Sequence, residues 1–292
     1  MAYNPNAVFI SPSSISAFKS CPRAYYYQYV YKNPKTGLKI QLINPKLALG
    51  AVMHDVLAQF LRSSAVSQEK EQLFAILNRY WSEIAGEKGG FSSAQEESQY
   101  KNRAIKMLEN FWANPHFKSI SPIPMPDFPK LDLGEDLILT GKLDWIEKEG
   151  ENMYHIIDFK TGEKEEKSDS IQLSTYAVLA GSFLTNPQIR ASYWYLDREK
   201  DFRAYELSPT QETLEKLKQI GLVIKNSRLT NSFRCISGGD SCWACRDFAA
   251  VIEEQKGKMV SVDYSRKQEI YIVVAADKSS ESKENTTSDL PF

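Results

Sequence analysis

Apolar residues recur at helical spacing through the first third of the chain and at strand spacing further on. Leu49, Val52, Val56, Leu57, Phe60 and Leu61 share one helical face and predict a helix from Leu47 to about Ser63. Ser11-Pro12-Ser13-Ser14 has the form of an N-cap and predicts a short helix running to about Cys21. Two more helices are expected at about 67–85 and 93–113, parted around Gly89-Gly90. Residues 115–129 carry Pro115, Pro122, Pro124, Pro126 and Pro129, so a connecting loop with no regular element is expected there. Beyond it, Leu137–Glu147, Tyr154–Thr161, Ala191–Asp197 and Arg203–Leu207 read as strands. Asp169–Phe183 and Gln211–Lys225 read as helices, the second capped at Ser208 or Thr210, and Glu269–Ala275 as a late strand. The expected organisation is one domain over 1–276. It comprises a helical part at about 11–113, an α/β core at about 131–250 and a terminal strand at about 259–275. The remainder, 277–292, is polar and acidic and is expected to be disordered.

Composition supports a folded chain: 42% of its 292 residues are apolar and 12% aromatic, enough for a sizeable core. No run approaches the ~18 consecutive apolar residues that span a bilayer. The start, MAYNPNAVFISPSS, lacks the basic and apolar stretches of a signal peptide. The expectation is a cytoplasmic protein with no membrane segment. A balance of 36 basic to 37 acidic residues argues at first against a nucleic-acid partner. The distribution reverses that. The first fifty residues hold Lys19, Arg23, Lys32, Lys35, Lys39 and Lys46 and no acid at all, interleaved with Tyr25, Tyr26, Tyr27, Tyr29 and Tyr31. Such a segment suits DNA, with phosphates on Lys or Arg and bases stacked on Tyr. The plainer reading is a helix with its tyrosines turned inward. A mixture is expected, in which Tyr25 and Tyr29 pack while Arg23 and lysines such as Lys19 meet DNA.

Four segments carry candidate chemistry. In Ile156-Ile157-Asp158-Phe159-Lys160-Thr161-Gly162, Asp158 and Lys160 are two apart on a strand and so share a face. A carboxylate beside an ammonium suits metal-assisted phosphodiester cleavage; a surface ion pair at a turn is the plain alternative. Asp144, in Thr140-Gly141-Lys142-Leu143-Asp144-Trp145-Ile146, reads as an acid inside an apolar strand, costly unless paired or bound to metal. If the two segments pair antiparallel, Asp144 and Asp158 converge. Gln172 and Tyr176 sit at i and i+4 on one helical face, placed to touch a phosphate or to hold Lys160. His54 on the early helix offers an imidazole ligand, while His116 and His155 have no comparable context.

As an ordered set these segments resemble the RecB-like branch of the PD-(D/E)xK nuclease superfamily, which includes recombination helicase–nucleases and CRISPR-associated exonucleases. The resemblance begins at Ser13-Ile15-Phe18-Cys21-Pro22-Arg23-Tyr25 and continues through Gly50-His54, Gly141–Asp144, Asp158–Gly162 and Gln172-Tyr176. It ends at Cys242-x-x-Cys245. It implies an α/β, restriction-endonuclease-like core with a mixed central β-sheet flanked by helices, plus an N-terminal helical subdomain. It implies that His54, Asp144, Asp158 and the Phe159 carbonyl hold Mg²⁺ or Mn²⁺. Lys160 would be the catalytic lysine, with Gln172 and Tyr176 beside it. The implied activity is that of a DNA exonuclease in repair, recombination or CRISPR adaptation. A non-catalytic iron–sulfur module assisting a helicase is the alternative, and the complete set His54, Asp144, Asp158 and Lys160 speaks against it. No nucleotide-binding Gly-x-x-x-x-Gly-Lys-Ser/Thr is present, so any unwinding motor would be a separate chain.

Many members of that branch bind a [4Fe–4S] cluster through one N-terminal and three C-terminal cysteines. Cys21, Cys242 and Cys245 match three of these; no cysteine follows within Arg246–Ile252, and Cys235 lies upstream as the substitute. Zn²⁺ is the runner-up, since four thiolates also satisfy tetrahedral zinc. The last four residues, Asp289-Leu290-Pro291-Phe292, resemble the tip of bacterial single-stranded-DNA-binding proteins. They are a speculative docking peptide for replication or repair proteins.

Overall fold

A computed structural model describes residues 4, 6–62, 69–119, 122–167, 170–238 and 242–274. Its organising strand is β6 (Met153–Lys160), whose interior is buried on both faces from His155 to Phe159. A strand covered on both sides reads as a near-continuous apolar run rather than an alternation. Strand β5 (Trp145–Lys148) pairs antiparallel with β6, β7 (Gln188–Tyr195) pairs parallel with it, and β8 (Arg203–Tyr205) pairs antiparallel with β7. The sheet order is therefore β5-β6-β7-β8, a mixed sheet as expected.

Two cores cover this sheet. Trp145, Ile157, Phe159 and Trp194 face the N-terminal helices α3 (Pro45–Arg62), α4 (Lys70–Glu83) and α5 (Ala94–Ala113). Ile146, Ile156, Tyr193 and Tyr195 pack on the other side with α7 (Gln172–Ala180) and α8 (Thr210–Leu229). Helix α7 is the crossover that a parallel β6–β7 pair requires. Helix α1 (Pro12–Ser20) starts at the expected cap: the Ser11 side chain accepts from the Ser14 N–H and Ser14 Oγ accepts from the Ser11 N–H.

Several elements depart from expectation. The segment Leu137–Glu147 is not one strand. It splits into β4 (Leu137–Thr140) and β5, which belong to different sheets. The break falls at Gly141, against which α7 packs so closely that a Cβ there would lie 2.9 Å from Leu179 Cδ1. Asp144 thus sits in the connection just before β5 and not inside a strand. The proline-rich 115–129 stretch does contain a helical turn, α6 (His116–Ser119), for which Pro115 is a fitting predecessor because it gives up no needed N–H. Strands β1 (Val8–Ile10), β2 (Lys39–Leu42) and β3 (Lys130–Asp132) are too short to show a pattern. β4 is flanked by β1 and β3, while β2 joins a C-terminal hairpin of β9 (Gly257–Asp263) and β10 (Gln268–Val273). Helix α2 (Pro22–Tyr25) runs into a π-helical turn at Tyr26–Val30, and α9 (Arg246–Ile252) was not anticipated. Among the described residues no helix is long and apolar enough to cross a membrane. The acidic tail and Asp289–Phe292 lie outside the described residues.

Candidate active site

The β5–β6 register pairs Trp145 with Ile157, so the next step along it sets Asp144 beside Asp158. Both line an open cleft of about 380 Å³ together with His54, Lys160, Gln172 and Tyr176. Phe159 also lines it, and because its side chain is buried in the opposite core its contribution is main chain. All the residues expected at the catalytic centre are therefore brought together. Arg23 and Lys19 are not among the cleft residues. Arg23 instead donates to Glu253 at 2.7 Å and to the Tyr27 hydroxyl at 2.7 Å, tying α2 to the segment after α9. Tyr25 and Tyr29 do pack, with stacked rings 5.1 Å apart.

Each side chain is held by a neighbour. His54 Nδ1 lies 2.9 Å from Asp144 Oδ1, and Asp144 Oδ2 accepts the Phe159 N–H at 3.0 Å. Gln172 bridges two groups: its Nε2 donates to Asp158 Oδ1 at 3.0 Å and its Oε1 accepts from Lys160 Nζ at 2.6 Å. The same Nε2 reaches the Tyr176 hydroxyl at 3.2 Å. Lys160 Nζ is 3.0 Å from Asp158 Oδ2 and 3.0 Å from a Glu166 carboxylate oxygen. Gly50, the glycine one turn before His54, lets α3 approach Thr161: a Cβ would be 3.3 Å from its Oγ1.

The electrostatics follow from setting the buried Asp158 carboxylate beside the partly buried Asp144. Burial pushes the Asp158 carboxyl up, to about 6, against the pull of Lys160; the neighbouring Asp144 charge adds to the rise. Burial acts to lower His54, but the charge and hydrogen bond of Asp144, with Asp158 behind it, raise it to about 9. Lys160 is held up by Asp158 and Glu166 in spite of its desolvation. Asp158 Oδ2 is buried and accepts no hydrogen bond; Lys160 is in ion-pair range of it without hydrogen-bond geometry. A carboxylate oxygen contacted only by an ammonium, a second carboxylate and an imidazole facing one cleft fit a hard or borderline divalent cation.

The second candidate metal centre joins the two ends of the fold. Cys21, Cys235, Cys242 and Cys245 place their sulfurs within 4.8 Å of one another. Cys21 precedes α2 and Cys245 precedes α9. Cys21, Cys242 and Cys245 are buried, and Cys235 sits 3.7 Å from Cys245, sulfur to sulfur. Burial pushes the Cys21 and Cys245 thiols up, whereas at Cys242 burial is outweighed by the Ala244 and Cys245 N–H donors, which bring the thiol down.

Three features had no signal in the sequence. Glu166 contacts Lys160 from a loop, and Lys142 lines the cleft while pairing with Asp55 at 3.5 Å. On the other face of the sheet, His116 and His155 converge on the fully buried Glu147, at 2.8 and 3.1 Å. Trp145 Nε1 also donates to Glu147, at 2.6 Å, and His155 Nε2 meets Ser192 Oγ at 2.8 Å.

Comparison with known proteins agrees with the geometry. The B-type subunits of proteins described as "ATP-dependent helicase/deoxyribonuclease" are similar to this chain. That of Thermoanaerobacter sp. (strain X514) is 27% identical over 263 residues, covering 75% of this chain and 22% of the relative. That of Clostridium perfringens (strain SM101 / Type A) is 29% identical over 194 residues, covering 56% of this chain and 16% of the relative. The chain thus spans about a fifth of the length of these curated relatives. The model of the PD-(D/E)XK nuclease superfamily matches residues 10–246, from the strand before the first helix to the last two cysteines, and the chain belongs to that superfamily.

Proposed function

We propose that this chain is a metal-dependent DNA exonuclease. The observation that carries the reading is the convergence of His54, Asp144, Asp158 and Lys160 on one cleft, with Gln172 locking the last two together. His54, Asp144, Asp158 and the Phe159 carbonyl are the groups that would hold Mg²⁺ or Mn²⁺. Such an ion, when bound, supplies Lewis-acid stabilisation of the phosphate and a more acidic water. Asp144 and Asp158 orient around it because each has one oxygen fixed by a protein donor, Phe159 N–H and Gln172 Nε2 respectively. Lys160 keeps its charge beside Asp158 and presents it to the scissile phosphate. Tyr176, buried and hydrogen-bonded to Gln172, holds that glutamine in place.

The test uses end-labelled linear DNA and a closed circle, each with Mg²⁺ or Mn²⁺. Wild-type protein is expected to shorten the linear substrate and spare the circle. Asp158→Ala and Lys160→Ala are each expected to lower the rate on the order of 10²-fold or more. Undiminished hydrolysis by both variants would sink the assignment. The relatives are named as helicase/deoxyribonuclease subunits, which supports DNA as the substrate and a helicase as a partner.

For the four cysteines we propose a structural [4Fe–4S] cluster clamping α2 to α9. Zinc is the second reading, favoured by the 3.7 Å separation of Cys235 and Cys245. A tetrahedral ion with Zn–S bonds of ~2.3 Å needs sulfurs at about that distance. Iron content and visible absorption of anaerobically purified protein distinguish the two.

A further inference from the structure

The loop that follows β6 lays three carboxylates on a row of cations. Glu163 lies 3.4 Å from Arg103, Glu165 lies 2.9 Å from Arg203 and 3.7 Å from Arg198, and Glu166 lies 3.0 Å from Lys160. Arg198 also donates to the Glu163 carbonyl at 3.1 Å. The cations come from four separate places: α5, the turn after β7, β8 and the catalytic end of β6. Tyr195 organises them. Arg198 and Arg203 lie over its ring at 4.5 and 5.5 Å, and its hydroxyl accepts the Glu166 N–H at 2.9 Å.

We propose that Arg103, Arg198 and Arg203, leading to Lys160, form the phosphate track by which a DNA strand reaches the cleft. Glu163, Glu165 and Glu166 occupy that track in the DNA-free protein and give way to phosphates. The inference rests on the nuclease reading and adds the route and its built-in competitor. Two features support exchange over a fixed surface network. Asp197 holds Arg103 at 2.8 Å and Glu199 holds Arg203 at 2.6 Å, so both guanidiniums stay placed when the loop leaves. A guanidinium has five N–H donors in a planar fork, so one edge can remain on its carboxylate while the other takes a phosphate. Glu163 and Glu165 are more than half exposed, and exposed ion pairs are weakly held. The arrangement places acids where a strand's phosphates would run, at the mouth of the cleft that Glu166 and Lys164 line.

The experiment is the double variant Glu163→Gln/Glu165→Gln, which leaves the Lys160–Glu166 contact in place. Its affinity for a fluorescent single-stranded oligonucleotide is measured with Ca²⁺ in place of Mg²⁺, across a salt series. Binding is expected to tighten several-fold. In wild type each phosphate only replaces a carboxylate, so little counterion is released. In the variant the slope of log K against log salt should steepen by about 0.7 per contact that now displaces solvent ions. Arg203→Ala should weaken binding more in the double variant than in wild type, because its charge is no longer shared. A remote pair, Glu83→Gln/Glu109→Gln, should change neither quantity. Unchanged or weaker binding by Glu163→Gln/Glu165→Gln, or an equal gain from the remote pair, would overturn the proposal while wild-type cleavage of DNA leaves the nuclease reading standing. Wild-type protein that neither binds nor cleaves DNA would overturn both.

Discussion

Glu147 gives the sharpest test of how the sheet is held. It is fully buried and accepts from Trp145 Nε1 at 2.6 Å, His116 Nε2 at 2.8 Å and His155 Nδ1 at 3.1 Å. Replacing it by leucine keeps the volume and removes every acceptor. His116 retains some solvent contact and can turn to water, but Trp145 and His155 cannot. Two stranded buried groups at about 1–3 kcal/mol each put the cost of Glu147→Leu near 4 kcal/mol. Glutamine should behave differently. Its oxygen can accept from Trp145 and His116 while its amide donates to His155 Nδ1, provided that imidazole moves its proton to Nε2 and donates to Ser192 Oγ, 2.8 Å away. Glu147→Gln then loses mainly the charge assistance, about 1–2 kcal/mol.

For a chain of this size the leucine variant should melt about 8–16 °C lower and the glutamine variant only a few degrees lower. Urea unfolding followed by tryptophan fluorescence reads both. Equal losses for the two variants, or a loss below about 1 kcal/mol for leucine, would refute the satisfaction argument. The pH dependence has a definite sign. Burial alone would raise this carboxyl, but the hydrogen bonds from His155, Trp145 and His116 outweigh it and hold it below the ordinary glutamate value of 4.5. The stabilisation is present above that value and lost as pH falls through the lower folded-state value. The gap between wild type and Glu147→Leu should therefore narrow only below pH 4.5.

Gly141→Ala would push a methyl to 2.9 Å from Leu179 Cδ1 and 3.1 Å from Tyr176 Cε1; calorimetry should show a loss of about 1–3 kcal/mol, and cleavage should slow as α7 carries Gln172 away from Lys160. Gln172→Leu removes the 2.6 Å acceptor of Lys160 and the 3.0 Å donor of Asp158 without touching the main core; kcat should fall by about 10- to 100-fold at an unchanged melting temperature. The proposed metal link at the four cysteines would close more than two hundred residues and contribute about 5 kcal/mol in the chain-entropy picture, so Cys242→Ser is expected to lower metal content and melting point together and to expose the N-terminal segment to protease.

Much of the candidate site was legible because strand and helix periods are local. Asp158 and Lys160 two apart, and Gln172 and Tyr176 four apart, fall on common faces whatever the rest of the chain does. The helices at 47–63 and 93–113 were legible for the same reason, and α5 matches its expected span. What failed were judgements that need tertiary neighbours. Leu137–Glu147 looks like one strand because nothing in its composition reports that Leu179 will press on Gly141. Nothing local to Arg23 reports that α9 brings Glu253 to it from 230 residues away. His116, Glu147 and His155 are scattered in sequence and meet only because β5 pairs with β6 and the turn after α5 folds back on them.

The two faces of β6 show why the chemistry sits at this spot. Asp158 and Lys160 point to one side, His155, Ile157 and Phe159 to the other, so the residues that anchor the strand to the helical layer are kept apart from those proposed to hold the metal and the phosphate. Anchoring must be strong because the reactive side is unfavourable by itself. The register sets Asp144 beside the buried Asp158, and carboxylates partly withdrawn from water repel each other more strongly than in solvent. The fold answers with His54 on Asp144 Oδ1, Gln172 on Asp158 Oδ1 and the Lys160 ammonium 3.0 Å from Asp158 Oδ2. Stability alone would favour losing one of the two acids, as apolar partners commonly outperform buried charge. Keeping both, at the mouth of an open cleft and within reach of an imidazole, is what the proposed divalent-ion site requires.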